Sequence, residues 1–188
     1  KAQVIICNAG NANACTGDQG REGAEAMVRA TAEALGISEE DVIVASTGII
    51  GVEFPTEEVV EGLKVNIPKL SGELKAGSFV ANAILTTDTF AKEGFIDFEY
   101  NGVTINMGGV AKGSGMIHPN MATMLAFIVT DFNIDEKLLQ EAVSFCVDRS
   151  FNMITVDGDT STNDMVAVMA NGLAGNRKVM SKDDPGYE

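Results

Sequence analysis

The apolar positions of this chain follow two rhythms. Gln3-Val4-Ile5-Ile6-Cys7, Asp41-Val42-Ile43-Val44-Ala45 and Met165-Val166-Ala167-Val168-Met169 are short apolar runs between polar stretches, the pattern of buried strands. A longer run from Thr123 to Thr130 reads as a strand buried on both faces. Elsewhere the period lengthens. Ala24, Met27, Val28, Thr31, Ala34 and Leu35 recur at three- and four-residue steps, with Gly36 placed to end the helix they predict. Thr56-Glu57-Glu58 starts a second helix, with a threonine cap and acids where the helix dipole favours them, and Pro68 ends or breaks it. A third helical stretch covers residues 75–85. Ile134-Asp135-Glu136 opens a fourth, on which Leu138, Leu139, Ala142, Val143, Phe145, Cys146 and Arg149 form a stripe that places Cys146 toward the core. Asn101-Gly102 between the alternating segments 95–100 and 103–107 is a strong hairpin signal. Strands alternating with helices, plus a hairpin, predict an α/β or α+β sandwich.

Composition narrows the function classes. With 188 residues, 45% of them hydrophobic, the chain can bury a core as one large domain or two small ones. A formal charge of −14 argues against nucleic acid or an anionic membrane as partner, because either requires clustered Lys and Arg. Cys7, Cys15 and Cys146 lack CxxC spacing and histidine company, so reduced thiols in a cytoplasmic protein are expected and no metal site is. No signal peptide is apparent, and no apolar run is long enough to cross a bilayer.

The candidate chemistry centres on residues 112–125. Gly108, Gly109, Gly113 and Gly115 suggest a flexible loop holding one cation, Lys112, and Pro119 stiffens the approach to Asn120 before the apolar run begins. Thr123 thus stands where loop meets strand. One reading is a β-branched residue opening a strand. The other is a nucleophile freed by chain cleavage, whose own α-amine, with a pKa near ~8, serves as general base. That arrangement needs no histidine, which matters because His118 is the only one and no carboxylate is obviously placed to orient it.

Other segments offer supporting groups. Ser46-Thr47-Gly48 follows a strand, and a Thr-Gly step there can aim a hydroxyl and a backbone N–H at one point, as a developing oxyanion requires; a plain turn is the other reading. The small, polar loop of residues 8–17 fits an anion pocket or a tight strand-to-helix turn equally well. Thr86-Thr87-Asp88-Thr89 offers helix-end capping or contacts to an amino-acid substrate. Residues 157–164 superficially resemble a calcium loop but have Thr162 where the loop glycine belongs and Val168 where the closing glutamate belongs. A turn bracing the active site through hydroxyl and carboxylate hydrogen bonds fits better.

Gly108-Gly109-Val110-Ala111-Lys112-Gly113-Ser114-Gly115-Met116-Ile117 followed by Ala122-Thr123-Met124-Leu125 resembles the self-cleavage region of the ornithine acetyltransferases of arginine biosynthesis, also called glutamate N-acetyltransferases. The stretches at 8–17, 46–51, 86–89 and 157–164 resemble that family in the same order, so the likeness spans nearly the whole chain. It implies a layered α-β-β-α fold. It implies cleavage between Ala122 and Thr123, giving an α-chain part, residues 1–122, and the start of a β chain, residues 123–188, that associate as an α2β2 heterotetramer. Thr123 would be the nucleophile, Thr47 and Gly48 the oxyanion hole, and Thr86, Lys112 and Thr123 the substrate contacts. The implied substrates are N2-acetyl-L-ornithine and L-glutamate, with no cofactor; acetyl-CoA as a further acetyl donor is left open. By the same likeness the chain is a piece of a longer protein, lacking an N-terminal portion and much of the β chain.

Two other functions share features with this one. An N-terminal-nucleophile amidase or aminopeptidase would have the same cleavage and oxyanion hole but would release the acyl group to water. A binding domain with a structural Thr123 would leave the chain uncut.

Overall fold

The computed structural model describes residues 2–117 and 124–187. Strand β1, Val4–Asn11, runs into helix α1, Gly17–Leu35, which returns the chain to β2, Val42–Ile49, parallel to β1. Gly36 ends α1 as expected, in the left-handed region at φ 67°, its N–H bonded to the Ala32 carbonyl. Helix α2, Thr56–Asn66, follows, and Pro68 sits in the 3-10 turn that closes it. Thr56 is the first helical residue rather than a side-chain cap; its hydroxyl turns back to the Phe54 carbonyl. After α3, Leu74–Ala83, come β3, Lys92–Tyr100, and β4, Val103–Lys112, paired antiparallel around Asn101-Gly102. Strand β5, Leu125–Thr130, is antiparallel to β4, and after helix α4, Glu136–Asp148, strand β6, Met165–Ala170, pairs with β5 in parallel.

The strands form a two-stranded sheet, β1-β2, and a four-stranded sheet, β3-β4-β5-β6. Alternation along β1 and β2 gives the small sheet two apolar faces. One face puts Ile6, Val42 and Val44 against Met27 of α1, Phe54, and Val59 and Leu63 of α2. The other puts Ile5, Cys7 and Ala45 against Val110, Leu125, Phe127, Met165 and Ala167 of the large sheet, with Ile84 closing the edge. Helices, small sheet and large sheet are therefore successive layers. At the far end of the large sheet Tyr100, Ile105, Phe132 and Val179 make a separate cluster, joined by Leu138 of α4. The rest of the α4 stripe is not core. Phe145 and Cys146 are exposed, because α4 meets the sheet only through that end, and the Arg149 guanidinium lies 3.6 Å above the Phe145 ring.

Strands β1, β2 and β4 run further toward the site than the sequence pattern indicates. β4 continues through Gly108 and Gly109 to Lys112, because those glycines pair with Phe95 and Gly94 on one side and Val129 and Ile128 on the other. Lys112 is thus the last residue of a central strand, not part of a loop. β2 continues through Ser46, Thr47 and Gly48, and β1 through Asn11, which brings Ala9 and Gly10 opposite Thr47 and Gly48.

Burial between the sheets pushes the Cys7 thiol up to about 12, against the opposing pull of the Lys112 charge. The thiolate is the reactive species. Alkylation of the native protein near pH 8 followed by peptide mass analysis should therefore leave Cys7 unmodified while exposed Cys15 reacts, and unfolding should make Cys7 react as well; labelling of Cys7 in the native protein would contradict this packing.

Candidate active site

The strand ends of the two sheets converge on Lys112. Its side chain is 1% exposed. An ammonium so far from water must replace its hydration with protein acceptors, and it does. Nζ donates to Thr86 Oγ1 at 2.7 Å and to Thr47 Oγ1 at 3.1 Å, and Asp88 Oδ2 lies 3.9 Å away. Burial still pushes the Lys112 pKa below its ordinary value, although the charge of Asp88 opposes the shift.

Asp88 organises the other side of this centre. Its carboxylate is fully buried and accepts from Lys92 Nζ at 2.7 Å, from the Gly113 N–H at 2.7 Å and from the Thr86 N–H at 3.4 Å. Burial works against the charge on Asp88, but these bonds outweigh it and hold its pKa below the ordinary carboxylate value. One carboxylate therefore ties together the end of β4, the start of β3 and the Thr86 turn. Lys112 then points at Thr47 across the gap between the sheets.

Thr47 is fully buried and stands near the end of β2. Gly48 beside it has φ 137°, and a Cβ there would lie 2.3 Å from the Gly10 carbonyl carbon, so the two backbones approach as closely as they do because residue 48 is glycine. The two sheets are tied near this point by Asn163, whose Nδ2 donates to the carbonyls of Ala12 and Ser46 at 2.5 and 3.2 Å. Asn163, Asp164, Ser46 and Leu125 line part of an adjoining cavity of about 200 Å³.

Of the residues singled out in the sequence, Thr47, Thr86 and Lys112 are brought into direct contact, and Gly48 adjoins them. Ala122 and Thr123 lie outside the described residues. The described chain resumes at Met124, next to Leu125, which pairs with Lys112 across the β4-β5 ladder. The role of Asp88 was not legible: the sequence offers it among three threonines, and its one local signal, Lys92 four residues on, is common on solvated surfaces. Of residues 8–17, Asn8 to Asn11 belong to β1, Gly10 meets Gly48 through its backbone, and the Ala12 carbonyl accepts from Asn163. A buried cation bonded to two hydroxyls at the junction of two sheets can hold a carboxylate or a carbonyl oxygen and fix its orientation.

The family model described as "ArgJ family" matches residues 1–186. The chain is similar to the arginine biosynthesis bifunctional protein ArgJ of Symbiobacterium thermophilum, with 56% identity over 95% of this chain and 44% of the relative. It is also similar to the protein of that name from Listeria monocytogenes, with 57% identity over 94% of this chain and 43% of the relative. The chain thus spans less than half the length of these curated relatives. Among solved structures it resembles the arginine biosynthesis bifunctional protein ArgJ of Bacillus halodurans, with a TM-score of 0.59 and 44% identity over 65% of this chain and 63% of that one. It likewise resembles the ornithine acetyltransferase of Mycobacterium tuberculosis solved with ornithine, with a TM-score of 0.53 and 30% identity over 64% of this chain and 63% of that one.

Replacing Gly48 by alanine should destabilise the protein by about 2 kcal/mol or more, since the methyl group meets backbone that cannot swing away and φ is in a region costly for side chains. Denaturant unfolding of Gly48→Ala against Gly51→Ala, which has φ 76° but open space at its Cβ, separates the clash from the torsional cost; equal losses would refute the close approach.

Proposed function

This chain belongs to the ArgJ family, and on that premise we propose that it is the self-cleaving, nucleophile-bearing part of an enzyme that moves acetyl from N2-acetyl-L-ornithine to L-glutamate. The observation that carries the reading is the buried Lys112 ammonium bonded to Thr47 and Thr86, on a residue whose ladder partner, Leu125, is two positions after Thr123 in the sequence. Burying a lysine is costly even with two hydroxyls and a carboxylate beside it, and a site that binds amino-acid carboxylates gives the buried charge a use.

The chemistry has two stages. In the first, Thr123 Oγ adds to the Ala122 carbonyl carbon, the Ala122-Thr123 C–N bond breaks, and the acyl group rests on Oγ as an ester while the α-amine is freed. Water hydrolyses the ester, leaving an α chain ending at Ala122 and a β chain beginning at Thr123. In the second stage the α-amine takes the Oγ proton as Oγ adds to the acetyl carbonyl of acetylornithine, and returns it to the departing ornithine amine. Thr47 and Gly48 stabilise the tetrahedral oxyanion, and Thr86 and Lys112 hold the substrate. Glutamate enters next, its amine attacks the acetyl-threonine, and acetylglutamate leaves. One acetyl group is recycled in this ping-pong sequence; acetyl-CoA as a second acetyl source is consistent with the word "bifunctional" in the relatives' names. The same reading has cleaved chains assembling as α2β2 in the cytoplasm. Among the described residues no helix is long and apolar enough to cross a membrane.

Intact mass of the full-length protein under denaturing conditions should reveal two fragments parting between Ala122 and Thr123, and Thr123→Ala should remain whole. With acetylornithine the β fragment should gain one acetyl group, and glutamate should remove it as acetylglutamate. An uncut wild-type chain sinks the proposal, and loss of the acetyl group to water as free acetate with glutamate unmodified assigns the protein to the amidases instead.

A further inference from the structure

The loop of residues 157–164, between the 3-10 turn after α4 and β6, makes bonds that the acetyl-transfer chemistry does not use. At one end, the Asp157 carboxylate accepts with both oxygens: Oδ2 from the Met116 N–H at 2.5 Å and Oδ1 from the Ile117 N–H at 2.9 Å. The Ile117 carbonyl is held in turn by the Val156 N–H at 2.8 Å and the Thr155 hydroxyl at 3.2 Å. At the other end, Asp164 Oδ1 accepts from the Met124 N–H at 2.9 Å, and the Met165 N–H donates to the Met124 carbonyl at 3.0 Å. Ile117 and Met124 are therefore each gripped on both backbone groups by one short stretch of chain. Asn163, between the two carboxylates, ties that stretch to the carbonyl of Ser46, next to Thr47 and Gly48.

We infer that the 157–164 loop is a brace that sets the chain on both sides of the Ala122-Thr123 bond for self-cleavage, with Asp157 and Asp164 as its positioning residues. The inference rests on the cleavage reading above and deepens it. The physical need is clear from the backbone. Lys112 and Leu125 face each other in the β4-β5 ladder, so the chain leaves and re-enters the sheet at one fixed base, and Gly113 and Gly115 give residues 113–117 wide freedom. Met116 is held at φ 59°, a region costly for a side-chain-bearing residue, and the bond from its N–H to Asp157 offsets that cost. Intramolecular attack is fast only where the reacting atoms spend their time close together, so fixing both flanks of the bond raises the effective concentration of nucleophile at carbonyl. The carboxylates suit the task differently. Asp157 is held well below the ordinary carboxylate range by the Met116 and Ile117 N–H groups, whereas burial pushes Asp164 up.

The test is a time course of chain cleavage during cell-free translation of the full-length protein, read by gel and mass. Asp157→Ala and Asp164→Ala should each slow cleavage by about tenfold or more, while Asp159→Ala in the same loop should match the wild type. Asparagine should discriminate further. Asp164→Asn keeps an oxygen for the single Met124 N–H and should recover most of the rate, and Asp157→Asn, left with one oxygen for two N–H groups, should recover little. Wild-type rates in both alanine variants would overturn the brace and leave the cleavage proposal standing. Slow cleavage in all three alanine variants would overturn it too, by assigning the effect to general loss of loop structure. Should an alanine variant fail to fold, the asparagine pair decides: equal rates at 157 and 164 refute the geometry. A wild-type chain that stays whole removes the cleavage reading and the brace with it.

Discussion

The Lys112 ammonium sits where an ion is expensive, between two sheets and out of water, and much of the surrounding structure follows from meeting its requirements. Thr47 comes to it from the small sheet, Thr86 from the turn after α3, and Asp88 supplies the nearest negative charge. Removing any one partner leaves the others facing an unsatisfied charge, which is the situation in which buried polar networks cost most. The sheets are held in register by apolar contacts among Ile5, Ala45, Val110, Leu125 and Phe127, and that register is what lets four polar groups from three segments meet.

Asp88 and Asn163 do a similar job at two scales. Each is one short side chain with several bonds to groups far apart in sequence: Asp88 to Lys92, Gly113 and Thr86, and Asn163 to Ala12 and Ser46. Short side chains with few rotatable bonds lose little entropy when fixed, so they hold backbone segments more rigidly than a lysine or glutamate would. Thr47, Gly48 and Lys112 stand at or near strand ends, and the segments tied to them are loops. Rigid strands joined by such ties are an economical way to give loops the geometry that chemistry requires.

The outer part of the molecule is less closed. Phe95, Ile96 and Phe98 on β3, Val129 on β5 and Phe145 on α4 are exposed, and β3 is an edge strand of the large sheet. The chain spans less than half the length of the curated relatives it matches. Layer order on the inner side, helices then small sheet then large sheet, is complete in itself, because α1 and α2 bury the face that the large sheet leaves open.

The sequence by itself determined the order of the elements and the family. Local rules suffice for the elements: a three- and four-residue period makes α1, Asn101-Gly102 makes the β3-β4 hairpin, and Gly36 stops a helix because it alone takes φ 67° without strain. Motif order along the chain carried the family, and the residues it marked at 47, 86 and 112 do meet. Tertiary structure alone decided where strands end and which polar groups serve the site. Gly108 and Gly109 read as loop because glycine favours freedom, yet they lie in a strand because both neighbours supply ladder partners. The α4 stripe reads as core, yet Cys146 is exposed because only one end of that helix reaches the sheet. Asp88 could not be told from a solvated loop residue, and the bracing turn expected at 157–164 did not say which of its residues form bonds, because the partners of Asp88, Asp157, Asn163 and Asp164 are brought near by pairing of strands remote in sequence, and no local pattern encodes that distance.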